Sequence, residues 1–137
     1  MVSSSIRVRA ASIAGNQHPL NEDCYGAFGR YIWVIDGASR PLGEPQNVAD
    51  FVQALDRSLF RAVSDCDDAP LQTLVAEAIW DVSRNDIDGA SATLSLARIH
   101  PTSMHYLVLG DAGLLHTAKD GHIQKIQDSR LSACASE

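Results

Sequence analysis

The chain has 137 residues and a mass of 14.8 kDa, enough for one domain that buries about 70% of the surface its unfolded form exposes. With 45% hydrophobic and 20% charged residues the composition is ordinary for a globular protein, which excludes a disordered tail or a collagen-like repeat. The 17 acidic and 11 basic residues give a formal net charge of -6, the wrong sign for a phosphate-neutralising face, so no nucleic-acid partner is expected; acidic clusters can instead hold divalent cations.

Residues 6–10 (IRVRA) alternate apolar and charged, which predicts a half-exposed strand, and residues 15–21 (GNQHPLN) are a loop by their Gly, Asn and Pro content. Two short strands follow at 23–28 and 31–35, separated by Gly29-Arg30. The second (YIWVI) is aromatic and β-branched throughout, which predicts burial on both faces, and it stops abruptly at Asp36-Gly37. Residues 38–45 (ASRPLGEP) form a loop. Val48, Phe51, Val52, Leu55, Leu59, Ala62 and Val63 then recur at three- and four-residue steps, predicting an amphipathic helix with Asn47 as its N-cap. After a break at 65–68 (DCDD), Leu71, Leu74, Val75, Ala78, Ile79 and Val82 repeat the stripe. Pro70 suits the first turn of this second helix, and the acidic break suits its positive end.

From Gly89 the period becomes two, with Ala92, Leu94 and Leu96 on one face and Thr93, Ser95 and Ala97 on the other. A strand at 104–109 follows residues 100–103 (HPTS), and segments 114–118 and 122–126 flank Asp120-Gly121, a hairpin signal. Trp33 and Trp80 are assigned to the core, His105 and His116 to the sheet surface. The expected architecture is one α+β domain over 1–137: antiparallel sheets with a pair of antiparallel helices on one face.

Cys24, Cys66 and Cys134 are an odd count without CxxC spacing, so a disulfide framework is not expected and a reducing compartment is. Residues 1–11 carry Arg7 and Arg9 with no apolar core of a signal peptide, and no apolar run is long enough to cross a bilayer. The expected location is cytoplasmic, with no membrane partner.

The most informative feature is Glu22-Asp23 before one strand and Asp36-Gly37 after the next. A two-residue turn at Gly29-Arg30 would set Asp23 opposite Asp36 and Glu22 opposite Gly37, whereas a three-residue loop would set Glu22 opposite Asp36. In either register carboxylates converge at one sheet end, roughly 5 Å apart, where like charges are destabilising unless compensated. Hard cations such as Mg²⁺ and Mn²⁺ provide that compensation, and Gly37 without a side chain could let its carbonyl approach an ion.

Asn21-Glu22-Asp23, followed by Trp33-Val34-Ile35-Asp36-Gly37-Ala38-Ser39, resembles the first two signature motifs of the metal-dependent protein phosphatases (PPM type, protein phosphatase type 2C). Gly89-Ala90-Ser91-Ala92-Thr93 is similar to the family's small-residue strand start, and Leu107-Val108-Leu109-Gly110-Asp111 to its strand ending in Gly-Asp. The four motifs occur in order with the two helices between the second and third, and residues 119–131 resemble the hairpin that usually follows. The resemblance implies the N-terminal part of an α-β-β-α phosphatase sandwich. It implies a serine/threonine phosphatase acting on phosphoprotein or phosphopeptide substrates with Mn²⁺ or Mg²⁺, by attack of a metal-activated water on the phosphomonoester. Glu22, Asp36 and the Gly37 carbonyl would be metal ligands, Asp36 and Asp23 the catalytic pair, and Asp111 a ligand of a weaker, additional ion.

Three departures from the family pattern bear on activity. The family's arginine shortly before the Glu-Asp pair has no counterpart, and His18 is the candidate phosphate contact in that neighbourhood; a neutral imidazole clamps phosphate less well than a guanidinium. The Gly-Asp-Ser motif reads Gly110-Asp111-Ala112. The family's last two metal-ligand aspartates lie on later strands, beyond residue 137, so the chain reads as truncated at its C-terminus. An alternative follows: a non-catalytic, shortened phosphatase-like module that binds a protein partner or phosphoprotein.

Other motifs carry less. The EF-hand-like stretch 85–89 (NDIDG) would require Arg84 and Ser95 at ligand positions, the five histidines lack zinc-site spacing, and negative charge beside Cys24 disfavours a thiolate nucleophile.

Overall fold

A computed structural model describes residues 6–15, 20–38, 47–85 and 90–130. Strands β1 (Asp23–Phe28) and β2 (Tyr31–Ala38) form a hairpin through Gly29-Arg30. Gly29 takes φ of +57°, the left-handed region that glycine enters without a Cβ penalty. The tight turn pairs Phe28 with Tyr31 and therefore Asp23 with Asp36, so the first of the two registers open to the sequence is the one formed.

Helices α1 (Val48–Asp65) and α2 (Leu71–Ser83) follow, then β3 (Ser91–Ile99), β4 (Met104–Leu109), β5 (Gly113–Thr117) and β6 (Ile123–Gln127). The first four strands make an antiparallel sheet in the order β1-β2-β3-β4, and β5 and β6 pair separately. The α+β expectation holds, with the helix pair on one sheet face. The apolar stripes are what hold it there: Val48, Val52, Leu55, Leu59 and Val63 of α1 and Leu71, Leu74, Val75, Ala78 and Val82 of α2 close over Tyr31, Trp33, Ile35, Leu94 and Leu96. Each large side chain so buried contributes about 1.5–3 kcal/mol.

Several expectations are corrected. Residues 6–10 are exposed and form no strand. Tyr31–Ile35 is buried on one face only, because helices cover just that side: Tyr31, Trp33 and Ile35 point into the core while Val34 is 55% exposed on the other face. Trp33 belongs to the core, its indole N–H donating to Asp56 Oδ1 at 2.8 Å, but Trp80 is 67% exposed on the outer side of α2. Asn47 occupies the N-cap position without capping through its side chain, which donates to the Asp50 carboxylate instead.

The acidic break serves a different partner from the α2 dipole. Arg30, at the β1–β2 turn, donates to the Asp67 carboxylate at 3.0 and 3.2 Å and to Asp68 at 2.6 Å, and the Tyr31 hydroxyl donates to the Asp67 carbonyl. These contacts tie the interhelical loop to the sheet. Asp120-Gly121 is a turn: Gly121 N–H donates to the Ala118 carbonyl at 2.9 Å and Asp120 Oδ1 accepts from His122 N–H at 3.0 Å. His105 and His116 are exposed strand residues, as expected, and residues 86–89 and Cys134 lie outside the described residues. No helix is long and apolar enough to cross a membrane among the described residues.

Candidate functional site

Antiparallel register builds the site. Asp23, Asp36 and Thr93 stand opposite one another on β1, β2 and β3, all on the face away from the helices. Gly110 packs directly against Thr93 and delivers Asp111 to the same end. Asn21 fixes the start of β1, its Oδ1 accepting from Asp23 N–H at 3.1 Å and its Nδ2 donating to Ser12 Oγ at 2.7 Å.

The carboxyl of Asp36 is held above the usual carboxylate range. Partial desolvation is the largest cause, followed by a hydrogen bond to Asp23 and then the negative charges of Asp23 and Asp111. Among the described residues no lysine or arginine pairs with Asp23, Asp36 or Asp111. An electrostatic deficit of this kind, all oxygen donors and no cation from the chain, fits a hard divalent ion. The fit is partial, because among the described residues no group of three or more His, Cys, Asp or Glu side chains has the spacing to hold a metal. Thr93 Oγ1, buried beside the pair, has no hydrogen-bond partner.

Glu22 joins the site through its backbone, its carbonyl accepting from Gly37 N–H at 3.0 Å. The reason for glycine at 37 differs from the expected one. A Cβ there would meet the Glu22 carbonyl oxygen at 2.5 Å, Val48 Cγ1 at 2.5 Å and Val52 Cγ2 at 2.9 Å. The bare position is what lets α1 and the start of β1 close against β2; its immediate neighbours are chain, whatever its carbonyl can reach. The structure thus brings Asp23 and Asp36 together, adds the charge of Asp111, and places Glu22 one register step beyond. His18 lies outside the described residues.

Cys24 is no nucleophile: its thiol is pushed up to about 11, by burial first and then by Asp56, which lies on the helix side; the acidic pair is not the cause.

Sequence reasoning missed a second polar cluster at the far end of the same sheet. Arg98 is only 7% exposed and donates to the Ala69 carbonyl at 2.7 Å, to the Asp67 carbonyl and the Tyr31 hydroxyl at 3.3 Å, and lies 3.2 Å from His105 Nδ1. The signal was present: Arg98 continues the register of Ala92, Leu94 and Leu96, which puts a cation on the apolar face. His100 sits beside it, 3.2 Å from Arg30, its ring 4.9 Å from that of His105. Desolvation and then the charges of Arg30, His105 and Arg98 push its imidazole below the ordinary range.

Neither family models nor curated protein sequences give a match to this chain. Solved structures do. The PPM Ser-Thr phosphatase MsPP from Mycobacterium smegmatis, in complex with cacodylate, is similar with a TM-score of 0.69 and 21% identity over 86% of this chain and 51% of that one. The Mycobacterium tuberculosis serine/threonine phosphatase PstP/Ppp gives 0.61 and 18% over 92% and 56%, and the PstP catalytic domain in complex with two manganese ions 0.63 and 18% over 92% and 57%. The chain spans about half the length of each of these neighbours. At such identities the likeness is one of fold: hairpin, helix pair and antiparallel strands are arranged as in the corresponding part of PPM serine/threonine phosphatases.

Proposed function

We propose that the Asp23–Asp36 end of the sheet is the cation-dependent centre of a serine/threonine phosphoprotein phosphatase. The observation that carries this reading is the Asp23–Asp36 pair itself: two carboxyls in direct register, with Asp111 adding negative charge and no basic side chain paired with them among the described residues. The fold shared with PPM phosphatases supports it, one of them holding two manganese ions.

In this proposal Asp36 is the principal carboxylate ligand for Mn²⁺ or Mg²⁺, joined by Glu22 and the Gly37 carbonyl. Asp23, facing Asp36 across the strand pair, would orient water or the ligands. Asp111 strengthens the local negative potential, and His18 contacts the substrate phosphate. A cation held there would supply Lewis acidity toward the phosphoryl oxygens and would lower the pKa of water. The substrate class is a phosphoserine or phosphothreonine peptide, reached from the open end of the sheet.

The test is titration with Mn²⁺ followed by calorimetry, alongside phosphopeptide hydrolysis at saturating metal. The expected result is one cation bound with loss of binding and of phosphate release in Asp36→Ala. Binding or turnover indifferent to that substitution refutes the proposal. A second reading rests on the absence of any three-group metal constellation among the described residues: the chain binds a phosphoprotein without hydrolysing it. Phosphopeptide affinity with no phosphate release at millimolar Mn²⁺ would select that reading.

A further inference from the structure

Arg98 is a permanent cation in a nearly closed setting, and it is bonded to backbone carbonyls, a hydroxyl and an imidazole nitrogen rather than to a carboxylate. Its Nη1 reaches two carbonyls and a tyrosine hydroxyl, its Nη2 faces His105 Nδ1, and its Nε has no partner. Among the described residues no carboxylate lies within ion-pair distance of it. A buried charge without a counter-charge is costly, and removal of that cost is available to any anion that can reach it.

A way in exists. Arg98 lines a cleft of about 370 Å³ together with Asp68, Pro70, Leu71, Gln72, His105 and Tyr106. The cleft therefore opens on the N-terminus of the 13-residue helix α2, whose N-cap is Pro70. No side chain caps that end and no acidic residue stands in its first turn. The amides of Leu71 and Gln72 precede the first intrahelical donors and have no partner among the described residues, while those of Thr73 and Leu74 donate to the Pro70 carbonyl. Free amides at a helix start, with the positive end of the helix dipole, are an anion cradle. The guanidinium can only donate, so Nδ1 of His105 is the acceptor of this contact, which leaves Nε2–H as a further donor. The acid at the rim, Asp68, is held by Arg30 at 2.6 Å, which offsets its repulsion.

We infer that this cleft is a binding site for a tetrahedral oxyanion, the phosphomonoester of a phosphopeptide, held by Arg98, His105 and the Leu71 and Gln72 amides. It is separate from the acidic pair. Arg98 and Thr93 are five residues apart on β3, about 17 Å, and the cleft lies on the helix side of the sheet while Asp23 and Asp36 lie on the other. The site anchors a phosphate that is not the one at the carboxylate end, and it stands whether or not that end is catalytic.

Amide and arginine Nε–H NMR of the metal-free full chain, titrated with inorganic phosphate, phosphoserine peptide and acetate, tests this. The expected result is saturable shifts centred on Leu71, Gln72, Arg98 Nε–H and His105, at least tenfold tighter for phosphate or phosphopeptide than for acetate. Phosphopeptide binding tighter than inorganic phosphate identifies a peptide ligand; equal affinities identify the free ion as sufficient. Gln72 is exposed, so two variants probe the site without touching the core. Gln72→Glu places a carboxylate at the helix start and should weaken phosphate at least tenfold while raising the melting temperature. Gln72→Pro removes one donor that no helix bond uses and should weaken it severalfold. Shifts scattered over the surface, or affinity unchanged in Gln72→Glu, would overturn the assignment.

Discussion

Replacing Gly37 by alanine tests the geometry on which the carboxylate end depends. The added Cβ would lie 2.5 Å from the Glu22 carbonyl oxygen and 2.5 Å from Val48 Cγ1, where ordinary contact begins near 3.4 Å. One of these obstacles is backbone and the other belongs to a side chain 1% exposed, so neither swings aside, and Val52 crowds the same space at 2.9 Å. Relief requires β1 or α1 to move by about 0.9 Å, at a cost of about 1–3 kcal/mol for overpacking. Separation of the strands also weakens the Gly37–Glu22 hydrogen bond, about 1 kcal/mol more. For a chain of this length each kcal/mol lowers the melting temperature by about 3–4 °C, so Gly37→Ala should melt about 6–16 °C below the parent. Thermal unfolding followed by circular dichroism is the assay. Gly29→Ala is the control: nothing lies within 4 Å of its Cβ, so it carries only the left-handed backbone cost of about 1–2 kcal/mol. A Gly37→Ala protein that melts no lower than Gly29→Ala would refute the close-packing argument.

The raised Asp36 pKa has a definite sign: the folded protein holds its proton more tightly than the unfolded chain, so the contribution to stability is full below the unfolded value near 3.8 and is lost as pH rises through the folded value. Asp36→Asn keeps a partner for Asp23 without the charge and should make stability greater at pH 7 and flatter between pH 4 and 7, which urea unfolding at a series of pH values would show. Leu59→Ala empties a side chain fully buried beneath the sheet and should cost about 2–5 kcal/mol, read as a lower urea midpoint at unchanged slope. Cys24, half-buried with its thiol at about 11, should be alkylated far more slowly at pH 8 than exposed Cys66, as peptide mass spectrometry after brief iodoacetamide treatment would resolve.

Local chemistry in the sequence was sufficient for most elements. Apolar residues at helical spacing, period-two alternation from Gly89, Gly29-Arg30 between two short strand-like runs and Asp120-Gly121 between two more are nearest-neighbour signals, and they located both helices, strands β1 to β4 and the β5–β6 hairpin. The carboxylates Glu22, Asp23 and Asp36 were legible as candidates because acidic residues at strand ends are conspicuous. What those signals do not contain is the relation between elements. The register that sets Asp23 against Asp36 was one of two until the turn closed with Gly29 at positive φ. The one-sided burial of β2, the exposure of Trp80 and the use of Asp67 and Asp68 to hold Arg30 all depend on where the helix pair rests, at long range in the chain. Gly37 and Arg98 show the same division most plainly. Each was visible as a residue type, but only packing put a carbonyl and two valines in the space a Cβ would need, and only the juncture of β3, β4 and the start of α2 made a buried arginine part of a cleft.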